Sequence, residues 1–306
     1  MPEPTPDRFM NTRWLTTLAC ILITAPGSAG AQKTSLDSLA TADTALRHVV
    51  RLRDGSTLVG RVIAVTWDSA TIALPSGTMT FARAAVSEVK EFPATRLHRG
   101  VYWPENPNPT RLLFSATAES LRKGEGYYWN TWLFFHGAAY GITDRLTMGA
   151  GFSLVPGLNL DDDVFYLTPK LALVQTANAG LAIGALLAFV PGLATSSGSN
   201  SLGILYGVGT TGSRESNLSL GLGWGYVGGE LADRPIVMLG GQSRLSRRLS
   251  AISENWFVPA DGRFQGAVSY GLRFLAERLS VDLAFVNSTE DPLFPGVPWL
   301  GFAVKF

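Results

Sequence analysis

From Thr110 to Phe306 the chain alternates apolar residues with small or polar ones. Leu146, Met148, Ala150, Phe152 and Leu154 interleave with Thr147, Gly149, Gly151 and Ser153. Leu218, Leu220, Leu222, Trp224 and Tyr226 interleave with Ser219, Gly221, Gly223 and Gly225. Val268, Tyr270, Leu272 and Phe274 stand against Ser269, Gly271 and Arg273, and Leu279, Val281, Leu283 and Phe285 against Ser280, Asp282 and Ala284. A period of two puts each kind of residue on its own face of a β-strand. Twelve strands are expected, beginning near residues 111, 127, 146, 164, 180, 201, 217, 235, 249, 264, 279 and 298. Their length of about nine to twelve residues is what a tilted membrane-crossing strand needs.

The links between these strands sort by length. Thr143-Asp144-Arg145, Thr176-Ala177-Asn178-Ala179, Ser213-Arg214-Glu215-Ser216, Ser246-Arg247-Arg248 and Ala276-Glu277-Arg278 are tight. Between them come the longer, polar stretches 119–126, 156–163, 191–200, 227–234, 258–263 and 287–298. Outer-membrane barrels have short periplasmic turns and longer external loops, whereas a soluble sandwich has no reason to sort its loops. The expected fold is therefore all-β: an antiparallel up-and-down transmembrane barrel of about twelve strands over residues 110–306, with both termini in the periplasm.

Upstream lies a different pattern. His48–Arg53, Leu58–Val65, Ala70–Leu74, Thr78–Phe81 and Val86–Lys90 are five short strands, set apart by turns such as Asp54-Gly55-Ser56 and Pro75-Ser76-Gly77. They predict a compact β module over residues 47–92. Pro93, Pro104, Pro107 and Pro109 then mark an extended linker, residues 93–109, because a residue before proline is driven out of the α region. Residues 32–46 read as a first linker or nascent helix.

Composition narrows the class. Only 16% of residues are charged, the net charge is +1 and glycine numbers 33. A polyanion binder needs a basic excess, so nucleic acid is not an expected partner. Mean hydropathy is +0.16, yet no run beyond residue 31 is long and apolar enough for a membrane helix. Arg8 and Arg13, the apolar run Trp14–Ala25 and the site Ala29-Gly30-Ala31 make residues 1–31 a secretory signal peptide. Met10 offers a tighter start than Met1. The one cysteine, Cys20, lies in that run behind a poor lipobox, Thr17-Leu18-Ala19, so neither disulfides nor thiolate metal sites are expected after cleavage.

Three resemblances follow from particular residues. Leu52-x-Asp54-Gly55 followed by Gly60 resembles the first motif of the Sm-like fold over about 45 residues. The second motif, which carries RNA contacts in that family, has no counterpart in Ala84–Val89, so the resemblance implies a periplasmic Sm-like or SH3-like module without RNA binding. The ending Leu300, Phe302, Val304, Phe306 resembles the C-terminal strand signal of outer-membrane proteins. It implies recognition by the barrel-assembly machinery, with the last strand closing on the first. The stretch from Asn106 to Phe135 resembles a segment of bacterial outer-membrane barrel proteins that brings no assigned activity with it.

Candidate chemistry is sparse. The barrel holds one histidine, His136, on the same face as Trp132, Phe134 and Ala138. The His-x-Ser-Asn-Gly of a barrel phospholipase is absent, and a hydrolytic triad needs a base beside its serine. His48 and His98 lie upstream, too few for a metal site. Asp161, Asp162 and Asp163 form a weak hard-cation candidate in an outer loop, better read as a solvated loop among divalent ions and lipopolysaccharide. No cofactor is expected. By parity, Arg111, Lys170, Arg244, Arg273 and Lys305 point into the lumen with the acids Asp282 and Glu254. As a basic ring they would favour anions; as paired charges they would hold a closed barrel. Ala182, Gly184, Leu186, Ala188 and Val190, with Leu205, give the lumen an apolar stretch as well. The expectation is passive passage or binding of a small, anionic solute in the outer membrane. A closed structural or assembly barrel whose module docks a periplasmic protein is the alternative, and an outer-membrane hydrolase comes third.

Overall fold

The computed structural model describes residues 36, 39, 43–154, 163–193, 199–260 and 263–306. The signal peptide, Cys20, Asp161 and Asp162 lie outside them.

The chain folds into two all-β units. The first is a five-stranded antiparallel sheet of β1 (Leu46–Leu52), β2 (Thr57–Val65), β3 (Ser69–Leu74), β4 (Gly77–Ala82) and β5 (Val86–Pro93), in the order β4-β3-β2-β1-β5. Val50, Val62, Ile72 and Val89 fill its core, and Leu36 from the preceding segment packs among them. His48 is buried in β1. Its Nδ1 accepts the Val62 N–H at 3.0 Å, which leaves Nε2 to donate toward Glu91 at 3.2 Å. Burial holds this imidazole below the usual histidine value against the opposing pull of Glu91.

The second unit is a closed antiparallel barrel of twelve strands. They are β6 (Gly126–Thr131), β7 (Phe135–Gly141), β8 (Leu146–Ser153), β9 (Phe165–Leu167 and Lys170–Gln175), β10 (Ala179–Phe189) and β11 (Ser201–Gly212). Then follow β12 (Asn217–Val227), β13 (Ile236–Ser246), β14 (Leu249–Ala260), β15 (Arg263–Leu275), β16 (Leu279–Ser288) and β17 (Val297–Lys305). Each pairs with its sequence neighbour, and β17 closes on β6 with Gly301 opposite Thr131 and Lys305 opposite Tyr127. At the seam the Phe306 N–H donates to the Gly126 carbonyl at 2.9 Å. Strand β9 is broken at Thr168-Pro169 because proline has no N–H to give the ladder, although the Pro169 carbonyl still accepts from Ala185 at 3.0 Å.

Alternation settles the faces. Leu218, Leu220, Leu222 and Trp224 are exposed on the outside, while Ser219 between them is fully buried. Leu279 and Leu283 likewise face out while Ser280, Asp282 and Ala284 face in. Leu205 is exposed on the outer face, which corrects its expected place in the lumen: it pairs with Ala185 one residue out of step with the inward Tyr206 and Val208.

Two expected strands are corrected. No wall strand begins near 111, because the barrel starts at Gly126. The segment expected as one strand from 127 is two, β6 and β7, joined by Trp132-Leu133-Phe134, with φ of 52° at Trp132 and 63° at Leu133. Positive φ at both central residues is the geometry of a tight hairpin turn, usually built with Asn-Gly. Here the Asn130 side-chain oxygen accepts the Leu133 N–H at 3.0 Å, and the Trp132 indole donates to Pro298 at 2.9 Å. The stretch 119–126 is accordingly not an external loop.

Candidate lumen site

Residues 104–125 run into the barrel lumen from the end that carries the tight turns. Pro104, Pro107 and Pro109 keep the segment out of any ladder, and its only bridge joins Arg111 to Ala116. Between them Leu112 N–H reaches the Ser115 carbonyl at 2.9 Å, and Thr117 N–H returns to Thr110 at 3.0 Å. Leu112, Leu113, Thr117, Ala118 and Ser120 are buried. Leu112 and Leu113 join Ala182, Val208, Met238 and Ile252 of the wall in one apolar cluster. Glycine makes the room: a Cβ at Gly240 would stand 2.6 Å from the Leu112 side chain, and one at Gly141 would meet the Arg122 carbonyl at 2.1 Å.

A backbone loop in such a place must have its N–H and C=O groups satisfied, and the inward charges of the wall do this. Arg273 on β15 is fully buried. It holds Asp282 on β16 through Nε–Oδ1 at 2.6 Å and Nη2–Oδ2 at 2.9 Å. Its remaining protons go to the carbonyls of Asn108 (3.0 Å), Arg111 (3.2 Å) and Leu112 (2.8 Å) and to Gln242 Oε1 (3.0 Å). Lys170 on β9 donates to the carbonyls of Thr110 and Thr117, both at 3.0 Å, and of Glu119 at 2.5 Å. Glu254 on β14 works in the opposite sense, accepting Phe114 N–H at 3.0 Å, Ser115 N–H at 3.1 Å and the Trp256 indole at 2.6 Å. The cations take carbonyls and the anion takes amides, so these side chains face the inner segment.

At the rim the turn Ser213–Ser216 grips the linker. Glu215 accepts from Arg96 at 2.8 Å, from Arg244 at 2.5 Å and from the Asn106 N–H at 3.0 Å. Arg214 pairs with Glu119 at 2.9 Å, and the Arg244 guanidinium lies 5.6 Å from the centre of the Trp103 ring. Lys305 donates to Glu125 at 2.9 Å beside the β17–β6 seam. Burial alone would push the Glu125 carboxyl up, but the Lys305 ammonium together with the Arg122 N–H and charge holds the group below its usual value.

Beyond the tip of the inner segment the lumen opens into a cavity of about 540 Å³. Leu113 and Phe114 floor it; Trp129, Tyr166, Leu186, Ala188, Ile204, Tyr206, Val208, Met238, Trp256 and Trp299 wall it. Trp132 and Val286 stand toward the opposite end, and Phe114 meets Trp256 edge-on at 6.1 Å. Trp129, Trp132 and Trp299 were not expected as lining residues. Trp299 occupies the small-residue parity of its strand, with Gly301 and Ala303, and a large aromatic at such a position is the available signal.

Arg111 belongs to the inner segment and not to a wall strand. It lines the cavity while only 8% exposed, and its Nε and Nη2 have no hydrogen-bond partner. Its guanidinium lies 5.4 Å from the Trp129 ring centre. Ser115 Oγ and Trp299 Nε1 border the same cavity and are also buried without partners. The side chains of Asn108 and Ser280 are unpaired too, but neither lines it.

The other candidates fall elsewhere. His136 faces outward, sharing a 2.6 Å hydrogen bond with Tyr128 and stacking on Phe152 at 5.3 Å. Asp163 accepts from Ser153 at 3.1 Å, and the described residues hold no group of acids, histidines or cysteines fit for a metal ion. Leu300, Val304 and Phe306 are exposed on the outer face, with Phe302 against Tyr128 at 6.0 Å.

No protein-family model and no curated protein matches the chain. Among solved structures, the NanC porin aligns at 6% identity and TM-score 0.37, over 59% of this chain and 97% of its own. An outer membrane protein of Vibrio cholerae, OmpT with loop L8 deleted, aligns at 12% identity and TM-score 0.31 over 85% and 96%. Salmonella typhi OmpF, in complex with daunomycin, aligns at 9% identity and TM-score 0.31 over 85% and 95%. Such similarity decides nothing about activity, and the closed barrel stands on its own strand pairing.

Proposed function

We propose that the chain is an outer-membrane barrel that binds a small apolar solute in its lumen, with the five-stranded module and linker on the periplasmic side. Support for the membrane comes from the exposed apolar rows of the wall, which water would not tolerate over so large an area, and from strands of crossing length. The row Leu300, Phe302, Val304 and Phe306 serves as the insertion signal in this reading. The cavity above the inner segment carries the proposal, because its size suits a small molecule and its lining is mostly hydrocarbon and aromatic. Passage to the periplasm requires residues 104–125 to shift. A ring of lumen cations selecting anions lacks support, since Lys170, Arg244, Arg273 and Lys305 are already engaged.

The test uses the purified chain in nanodiscs and the neutral dye N-phenyl-1-naphthylamine. Saturable binding above that of empty nanodiscs is expected, and Ala188→Trp, which fills the cavity, abolishes it. Binding indistinguishable from lipid partitioning, or untouched by Ala188→Trp, contradicts the reading.

A further inference from the structure

We infer that the lumen cavity takes an amphiphile with a hydrocarbon chain and a single carboxylate head, and that Arg111 is the residue that receives the head. This rests on the apolar lumen site proposed above and names its ligand class. The cavity is lined mostly by carbon, and Lys170, Glu254 and Ser269 on its border already hold protein partners, so an inorganic anion or a sugar would lose most of its hydration there without replacement. A hydrocarbon chain loses nothing of the kind.

The floor is different. Arg111 presents two buried N–H-bearing nitrogens to the cavity with no acceptor on either. A guanidinium left this way is costly, and every other cation of the lumen floor has found oxygen atoms: Arg273 on Asp282 and three carbonyls, Lys170 on three carbonyls. Arg111 has the face of Trp129 beside it. A carboxylate matches the parallel N–H pair of a guanidinium in charge and in geometry. Two more unpaired donors border the cavity, Trp299 Nε1 and Ser115 Oγ. Ser115 follows in the turn that Arg111 opens, where the Arg111–Ala116 bridge brings the ends together. Trp299 stands on β17 two residues above Gly301, whose partner Asp282 is held by Arg273. The head group therefore sits at the tip of the inner segment, and the chain lies upward among Leu186, Ile204, Val208 and Trp256. The segment that closes the lumen is then also the segment that senses the ligand.

The probes are hexadecanoate and hexadecanol, measured on the full chain in nanodiscs by quenching of tryptophan fluorescence with their brominated forms. Hexadecanoate should bind about tenfold or more tightly than hexadecanol, the range of a charge-assisted hydrogen bond made in a buried site. Arg111→Gln should abolish that preference; Arg111→Lys, which keeps the charge, should retain part of it. A heat-dependent gel shift like that of the unaltered chain certifies that each variant is folded. Equal binding of the two probes, or a preference that survives Arg111→Gln, overturns the role of Arg111 while the apolar site stands. Failure of both probes to bind the unaltered chain overturns the apolar site itself, and this inference with it.

Discussion

The two ends of the lumen use buried polarity in opposite ways. Toward the tight turns, wall charges and the irregular backbone of residues 104–125 consume one another. Arg273 alone makes six hydrogen bonds, two of them to Asp282. Beyond the tip, the wall is mostly carbon and indole, and Arg111 Nε and Nη2, Ser115 Oγ and Trp299 Nε1 have no partner. One end is complete as it stands and the other is complementary to something else. A barrel meant only to be sealed would carry the first arrangement through its whole height, and a diffusion pore would carry neither.

The contrast can be broken first at its strongest point. Arg273→Met leaves Asp282 buried without its partner and three carbonyls without a donor. Breaking such a pair costs about 3–5 kcal/mol, so the urea midpoint of the barrel in lipid vesicles should fall steeply. Lys170→Met removes donors from three carbonyls and preserves bulk; a loss of about 1–3 kcal/mol is expected in the same assay. At the other end, Ser115→Ala deletes a hydroxyl that binds nothing. It should be neutral, or stabilising by up to about 1 kcal/mol, because an unsatisfied group is removed and not a bond. If it costs as much as Lys170→Met, the two ends do not differ in the way described.

Much of the barrel was legible in alternation, and the strand number came out at twelve through two errors of opposite sign. The expected strand at 111 is absent. Its apolar run, Leu112-Leu113-Phe114, fills the lumen and does not face lipid. The hairpin at Trp132-Leu133 was invisible for a geometric reason. The link between the paired Thr131 and Phe135 holds three residues, an odd number that leaves odd–even parity undisturbed, so Trp129 and Gly137 both face inward and the alternation runs straight through. No glycine or asparagine occupies the turn to announce it. Similarly, Ile252 and Trp256 blur the pattern of β14 because their inward side chains pack on the inner segment and the cavity. Parity could say which way Lys170, Arg273 and Glu254 point. It could not say what they bind, because their partners are main-chain atoms of a segment without periodicity.

The most direct test of the central claim, that residues 104–125 close one end of the lumen, is the conductance of the full chain in a planar lipid bilayer. The account predicts no steady current from the unaltered protein and stepwise openings from Lys170→Met, in which the inner segment has lost three of its anchors. A stable, ohmic, porin-sized current from the unaltered protein would contradict it.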